Sequence, residues 1–214
     1  MEFLDFVLSY LPPPPARVLE LGCGDEGGLV PALGRAGYDA LGIDPYAPEG
    51  PGFRRISLEE LEEPASFEVV VASRVLHHVN PLEAGLDKLA RLAPMLLVDD
   101  FARERIDEPT RAWYETRYRQ LVAGGVEPRA PADLGEWRTR HPDLHSGAML
   151  LAGIDARYDR LFSEERPYFY RWLRDPDTEQ IERELIAAGE IQAIGLRYAG
   201  VASTETVRSS APSR

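Results

Sequence analysis

The stretch Val18-Leu-Glu-Leu-Gly-Cys-Gly24 decides the fold, because it joins a short apolar run to a pair of glycines. An apolar run of this length is typical of a buried strand. Gly22 and Gly24 predict a tight turn whose backbone a ligand can approach closely. An apolar stripe at helical spacing then runs to Gly37. The stretch therefore predicts a strand, a glycine turn and a helix.

The same pattern repeats through the first hundred residues. Further short, largely apolar runs lie at 40–44, 67–73 and 95–98, and a short segment at 53–56 is a candidate third strand. A helical leucine stripe precedes the last run. Strands that alternate with helices form parallel sheets with right-handed crossovers. The sequence thus predicts an α/β fold with a Rossmann-like, doubly wound, mostly parallel sheet and helices on both faces.

The alternation of predicted strands and helices ends after Phe101, where arginine and aromatic residues become frequent. Helical stripes at 113–121 and 150–161 predict a helical insertion after strand five. Tyr168-Phe-Tyr170 is a candidate strand, and 191–202 alternates as a returning strand.

Composition limits the class of partner. The chain has 214 residues and a formal net charge of −12, which disfavours binding to nucleic acids and to anionic membrane surfaces. Most of the acidic excess lies in residues 1–100, whereas 101–174 is nearly neutral. The single cysteine, Cys23, favours a reducing compartment. We expect a cytoplasmic protein with a small-molecule partner.

Two acids accompany the glycine turn. Asp44 ends the second strand 20 positions after Gly24, where a carboxylate can accept both ribose hydroxyls of a nucleoside. Glu20 stands two residues before Gly22, where it disfavours a pyrophosphate and suits a cationic ligand. The stretch 22–27 also matches the dinucleotide pattern G-x-G-x-x-G, so a nicotinamide cofactor remains an alternative.

These motifs resemble the class I S-adenosylmethionine-dependent methyltransferases of the small-molecule type. The longer pattern, from Leu76-His-His78 to Pro167-Tyr-Phe-Tyr170, is similar to uncharacterised bacterial members of that family. One departure is Glu26, which stands where the family has a glycine. We expect one domain, 1–204. It is divided into a cofactor-binding core (1–101), a helical insertion covering the acceptor site (102–176), and a return helix with an edge strand (177–204). Residues 205–214 are expected to form a flexible tail.

The resemblance also assigns binding roles to individual residues. Glu20, the acid of the first strand, is added to this set because of its charge. The expected cofactor-binding set is Glu20; Gly22, Cys23 and Gly24 along the methionine part; Asp44 on the ribose; Pro45 beside the adenine; Ser57 and Leu58 at the adenine edge; and Ser73 near the amino group.

Three histidines are candidate bases for the acceptor. His78 follows the fourth strand at the carboxyl edge of the sheet, and His141 and His145 lie in the insertion. Histidine is a suitable general base near neutral pH. We expect no metal site, because Pro142 disrupts helical spacing between the last two and no third ligand is evident.

The predicted function is methyl transfer from S-adenosylmethionine to an oxygen or nitrogen of a small molecule. Two alternatives stay open, namely a nicotinamide-dependent oxidoreductase and a protein that binds S-adenosylmethionine without methylating anything. The arginines of the insertion leave a small anionic acceptor open as well.

Overall fold

The structure is a computed structural model that describes residues 2–62 and 67–203. Within those ranges, seven strands form one sheet in the order β3-β2-β1-β4-β5-β7-β6. The first five strands are parallel, and β7 runs antiparallel to both β5 and β6. The strands are β1 (Arg17–Leu21), β2 (Asp39–Ile43), β3 (Phe53–Arg54), β4 (Val69–Ser73), β5 (Met95–Phe101), β6 (Tyr158–Arg166) and β7 (Gly195–Ala202).

Helices cover both faces of the sheet and its carboxyl edge. They are α1 (Phe3–Tyr10), α2 (Val30–Arg35), α3 (Leu82–Leu92), α4 (Glu108–Ala123), α5 (Leu134–Arg140), α6 (Gly147–Asp155), α7 (Phe169–Leu173) and α8 (Pro176–Ala187). The predicted doubly wound α/β fold is confirmed.

Side chains alternate between the two faces along β1. Val18 joins Phe6 of α1 and Leu33 of α2 in one apolar cluster. Leu19 joins the cluster on the opposite face, which contains Leu86 of α3. Strands that pack on both faces are apolar throughout, and all five residues of β4 are buried. The sheet is therefore rigid where its carboxyl edge carries the polar residues described below.

A third apolar cluster lies beyond the carboxyl edge of the sheet. It joins Phe101 of β5 to Tyr114 of α4, Leu134 of α5 and Phe169 of α7. We call residues 102–176 the cover, because this cluster places three of their helices, α4, α5 and α7, over the sheet edge.

Two predictions for the cover are wrong. The stripe predicted as a helix through Tyr158 and Leu161 is strand β6, since pairing with β7 outweighs its helical spacing. Tyr168–Tyr170, a candidate strand, instead begins α7, because the buried carboxylate of Glu182 accepts the three backbone N–H groups of 168, 169 and 170. The three cover helices before β6 agree with the predicted helical insertion.

The edge of the sheet also differs from expectation. The returning strand β7 lies between β5 and β6, so β6 of the cover is the edge strand. Charged residues such as Arg160 and Glu164 are exposed along β6, and charges of this kind protect an edge from further pairing. The predicted tail, 205–214, lies outside the described residues. No helix of 2–62 or 67–203 is long and apolar enough to span a bilayer.

Candidate functional site

The glycine turn after β1 has a geometry that only glycine accommodates easily. Gly22 has φ +83°, and a Cβ there would lie 2.6 Å from the carbonyl oxygen of Ser73. Gly24 has φ +63°, yet a Cβ there would meet no atom within 4 Å. Gly22 therefore allows β1 and β4 to approach each other, while Gly24 leaves its backbone open to a cavity.

Glu20 stabilises this turn through hydrogen bonds. Its carboxylate accepts hydrogen bonds from the backbone N–H groups of Leu29 (2.7 Å) and Val30 (3.2 Å) and from the hydroxyl of Ser73 (3.0 Å). Burial raises the pKa of Glu20 to about 7, against the lowering effect of these hydrogen bonds. The carboxylate thus ties the start of α2 to the end of β4, and it also lines a cavity.

Three of the cavities in the described part of the chain meet at this edge of the sheet. The turn cavity, about 950 Å³, is lined by Glu20, Gly22, Cys23, Gly24 and Ser73 among others. The thiol of Cys23 is no nucleophile there, because burial and the nearby carboxylates raise its pKa to about 12.

The second cavity, which we call the proline cavity, measures about 520 Å³ and is lined by Asp44, Pro45, Ser57 and Leu58. Its walls include apolar side chains from the ends of the strands, such as Ile43. Asp44 stands directly after β2, and its Oδ1 accepts the backbone N–H of Tyr46 at 2.8 Å. A carboxylate beside an apolar slot suits a planar base attached to a sugar.

The third cavity, the histidine cavity, measures about 410 Å³ and is lined by His77, His78 and His141. His141 stacks on Trp137, with ring centroids 5.1 Å apart, and its Nδ1 donates to the carbonyl oxygen of Trp137 at 2.8 Å. Partial burial, followed by the neighbouring His77, lowers the pKa of His78. The predicted bases His78 and His141 therefore face one space.

Sequence reasoning missed His77, which has the stronger support. Its Nδ1 lies 2.6 Å from Oδ1 of the buried Asp100. Oδ2 of Asp100 accepts the N–H of Leu76 at 3.0 Å, and Oδ1 also accepts that of Phe101 at 2.8 Å. A carboxylate only accepts, so Nδ1 carries a proton, and in the neutral imidazole Nε2 then holds the lone pair. The signal in the sequence was the pairing of His-His after one strand with Asp-Asp at the end of the next.

His145 does not line any of these three cavities. Its Nε2 donates to the carbonyl oxygen of Val79 at 2.8 Å, and its backbone N–H donates to the carbonyl oxygen of His77 at 3.0 Å. The structure gives this residue a connecting role between the cover and the segment after β4, and the prediction that it is a base finds no support here.

Asp99 is likewise occupied by the protein itself. Its carboxylate forms ion pairs with Arg171 at 2.6 Å and with Arg197 at 3.1 Å. Within residues 2–62 and 67–203, no group of three His, Cys, Asp or Glu side chains is arranged to hold a metal ion.

The three cavities are neighbours that share lining residues. The proline and histidine cavities share Gly22, Asp44, Arg74 and His78 in their linings. The histidine and turn cavities share Gly22, Gly24, Ser73 and Arg74. The expected cofactor residues and two of the three expected bases thus line three adjoining cavities.

Comparison with known proteins agrees with this geometry. The model of the methyltransferase domain family matches residues 1–141, well over half of the chain. No curated protein sequence matches significantly.

Solved structures show the same fold at low identity. An S-adenosylmethionine-dependent methyltransferase from Mesorhizobium loti is 14% identical, with a TM-score of 0.57 over 92% of this chain and 96% of that one. Geranyl diphosphate C-methyltransferase from Streptomyces coelicolor A3(2), 14% identical, gives 0.58 over 94% and 78%. Phosphoethanolamine N-methyltransferase 2 from Haemonchus contortus, 14% identical, gives 0.59 over 93% and 52%. The protein belongs to the methyltransferase domain family, and its fold is that of the class I S-adenosylmethionine-dependent methyltransferases, as its glycine turn and Asp44 predict.

Proposed function

We propose that the protein transfers a methyl group from S-adenosylmethionine to an oxygen or nitrogen atom of a small molecule held in the histidine cavity. When bound, the cofactor supplies an electrophilic methyl group on a sulfonium. The observation that carries this proposal is that the three cavities adjoin one another and all share Gly22 and Arg74 in their linings. Methyl transfer needs a donor and an acceptor in one aligned, water-poor space.

Each part of the cofactor has a matching surface. The open backbone of Gly22, Cys23 and Gly24 would hold the methionine part, with Ser73 beside its amino group. Asp44 would bind the ribose hydroxyls. The remaining residues would hold the adenine, namely Pro45, Ser57 and Leu58. The support lies in the space: a Cβ on Gly24 meets nothing within 4 Å, and the proline cavity is large enough for a base.

In this proposal Glu20 acts through its protein neighbours and its charge as well as by lining the cavity. Its carboxylate already accepts three hydrogen bonds, so it would position Ser73 and the turn while adding negative charge near a cationic ligand.

A base is needed when the acceptor atom carries a proton. We assign this role to His77, because Asp100 fixes its Nδ1–H and leaves Nε2 as the proton acceptor. His78 and His141 line the same cavity, so either is an alternative base. A positioned base supports oxygen or nitrogen as the acceptor atom. Fold alone does not decide it, since the similar enzymes named above include a C-methyltransferase and an N-methyltransferase.

Titration calorimetry with S-adenosylmethionine and S-adenosylhomocysteine tests the cofactor assignment. We expect both to bind, and Asp44→Asn to weaken binding about ten-fold or more, because hydrogen bonds to a charged group are lost. Asp39→Asn is the matched control, since Asp39 begins the same strand and pairs with Arg17 outside the site. Binding of NADH with no binding of either compound would favour a nicotinamide-dependent oxidoreductase instead.

Product scanning by mass spectrometry tests the chemistry. A panel of small hydroxylated and amino compounds is incubated with protein and S-adenosylmethionine, and products heavier by one methylene unit are sought. Tight cofactor binding with no methylated product across a broad panel would favour a protein that binds S-adenosylmethionine without methylating. The single cysteine supports our further proposal that the enzyme works in the reducing cytoplasm.

A further inference from the structure

Arg74 has an unusual backbone conformation at the centre of the site. It follows β4 directly and has φ +54°, a left-handed conformation that within the described ranges only Arg174 shares among non-glycine residues. Such a conformation is unfavourable for a residue that carries a Cβ. The backbone N–H of Arg74 donates to the carbonyl oxygen of Asp99 at 2.7 Å, which holds the kink in place. Strain of this kind concentrates at functional sites.

Arg74 is exposed and lines all three cavities. Among residues 2–62 and 67–203 its guanidinium has no hydrogen-bond or ion-pair partner. Other arginines around the histidine cavity are occupied: Arg103 donates to the carbonyl oxygens of His141 and Pro142, and Arg129 pairs with Glu26. Arg74 is therefore a cation available to a ligand.

The charge of the histidine cavity favours an anion. Its lining includes the cations Arg74 and Arg129 and three imidazoles, and Asp44 is its one carboxylate in the described part of the chain. Our proposed function assigns Asp44 to the ribose. An ammonium group in this cavity would meet the guanidinium of Arg74 and find no free acid, which is unfavourable. A carboxylate or similar anion would meet a planar guanidinium suited to it.

The walls of the same cavity favour a flat molecule. Four aromatic side chains line it: Phe101, Trp137, Tyr168 and Trp172. Trp137 and Trp172 are only partly buried and lie 5.3 Å apart between ring centroids, at an interplanar angle of 63°. Exposed indole faces bind planar rings well.

We infer that the methyl acceptor is a small planar anion whose negative group is bound by Arg74 in the histidine cavity. The inference rests on the proposed function and adds the chemical class of the acceptor. A second candidate anion for Arg74 is the carboxylate of the cofactor's own methionine part, because Arg74 also lines the turn cavity. Both candidates place an anion beside the guanidinium. The experiment separates the two.

The inference is tested with three probes that each carry one aromatic ring and differ in charge. Each probe is added to protein saturated with S-adenosylhomocysteine. The probes are benzoate, benzamide and benzylammonium, and their dissociation constants are measured by ligand-observed NMR titration. We expect benzoate to bind about ten-fold more tightly than benzamide, since a charge-assisted hydrogen bond adds that much. Benzylammonium should bind most weakly.

Arg74→Gln is the decisive variant. In this variant benzoate should bind no more tightly than benzamide. The dissociation constants of benzamide and S-adenosylhomocysteine should stay within about two-fold of their values for the unchanged protein. Arg74→Lys should keep part of the preference, because it keeps the charge and loses the planar donors. Arg91→Gln is the control, as Arg91 is exposed on α3 away from the three cavities. A thermal melt of each variant verifies folding.

Three outcomes would overturn the inference. The first is that benzoate fails to bind, or binds no better than benzamide or benzylammonium. The second is that Arg74→Gln leaves the benzoate preference intact but weakens S-adenosylhomocysteine about ten-fold, which would assign Arg74 to the cofactor's carboxylate. The third is that the unchanged protein does not bind S-adenosylhomocysteine at all. That last result alone also removes the proposed function, so the two failures are distinguishable.

Discussion

Nδ1 of His77 lies 2.6 Å from Oδ1 of Asp100, while Oδ2 of the same carboxylate accepts the backbone N–H of Leu76. One buried carboxylate thus fixes both an imidazole and the backbone that precedes it. The aspartate comes from the end of β5, and the histidine from the short 3₁₀ helix Leu76–His78 after β4. The pairing sets the tautomer of His77 and directs its Nε2 lone pair away from Asp100.

The tautomer of His77 is the first testable consequence. ¹⁵N NMR of the imidazoles should show His77 protonated at Nδ1, and Asp100→Asn should raise the fraction protonated at Nε2. With an acceptor identified by product scanning, His77→Gln and Asp100→Asn should each slow methylation about 10²- to 10⁴-fold, with S-adenosylhomocysteine binding unchanged. If His78→Gln slows the reaction that much and His77→Gln does not, the base is His78.

Two glycines of the turn should respond differently to alanine. In Gly28→Ala, with φ +54°, the new Cβ would lie 2.4 Å from Oε1 of Glu20, so we expect a loss of about 2–3 kcal/mol in the free energy of unfolding. Gly24→Ala should lose about 1–2 kcal/mol from its left-handed backbone, but its methyl group should also weaken cofactor binding. Urea unfolding and calorimetry measure the two effects. A Gly28→Ala protein of unchanged stability would contradict the described role of Glu20.

Glu182 predicts a pH dependence of stability. Burial raises its pKa to about 7, against three backbone hydrogen bonds that lower it. The folded state therefore binds this proton more tightly than the unfolded chain, whose carboxyl has an ordinary pKa. The resulting stabilisation is present in acid and is lost as the pH rises from about 4.5 to about 7.

Glu182→Gln should remove this dependence. Between pH 5 and pH 8 the free energy of unfolding of the unchanged protein should fall about 3 kcal/mol further than that of the variant. Contributions from other groups, Glu20 included, cancel in the comparison. Glu184→Gln, an exposed position on the same helix, is the control. Parallel pH curves for the unchanged protein and Glu182→Gln would show that this carboxyl does not titrate in the range.

The variant His145→Ala tests whether His145 only connects the cover to the segment after β4 or also acts as a catalytic base. The change removes the hydrogen bond from Nε2 to the carbonyl oxygen of Val79, so we expect a loss of about 1 kcal/mol in stability. Methylation should stay within about two-fold of the unchanged enzyme under conditions where the variant is folded. A drop of about 100-fold, with intact cofactor binding, would restore His145 as the base.

The sequence predicts the cofactor side of the site because its signals are local. A buried strand, two glycines and a terminal acid within 27 residues fix the turn between Val18 and Asp44, and the sheet extends it through continuous apolar runs such as β4. These features depend on residues close together in the chain, where spacing alone carries the information.

The acceptor side was harder to predict because it depends on distant contacts. His77 and Asp100 are 23 positions apart and meet because β4 and β5 pair in parallel with Ser73 opposite Asp99. The helical spacing of Tyr158 and Leu161 predicts a helix where the structure has the start of β6, because only pairing with β7 makes this segment a strand. Propensity and spacing yield to tertiary pairing in such edge elements.

The pairing of β6 with β7 has a consequence for engineering. The chain leaves the sheet at Phe101 and rejoins it at Tyr158, so both ends of the intervening segment are fastened to the same sheet. A segment held at both ends accepts exchange of its middle without disturbing the scaffold. The loop between α4 and α5, which carries Arg129, is thus the natural place to graft new residues and redirect the enzyme to other acceptors.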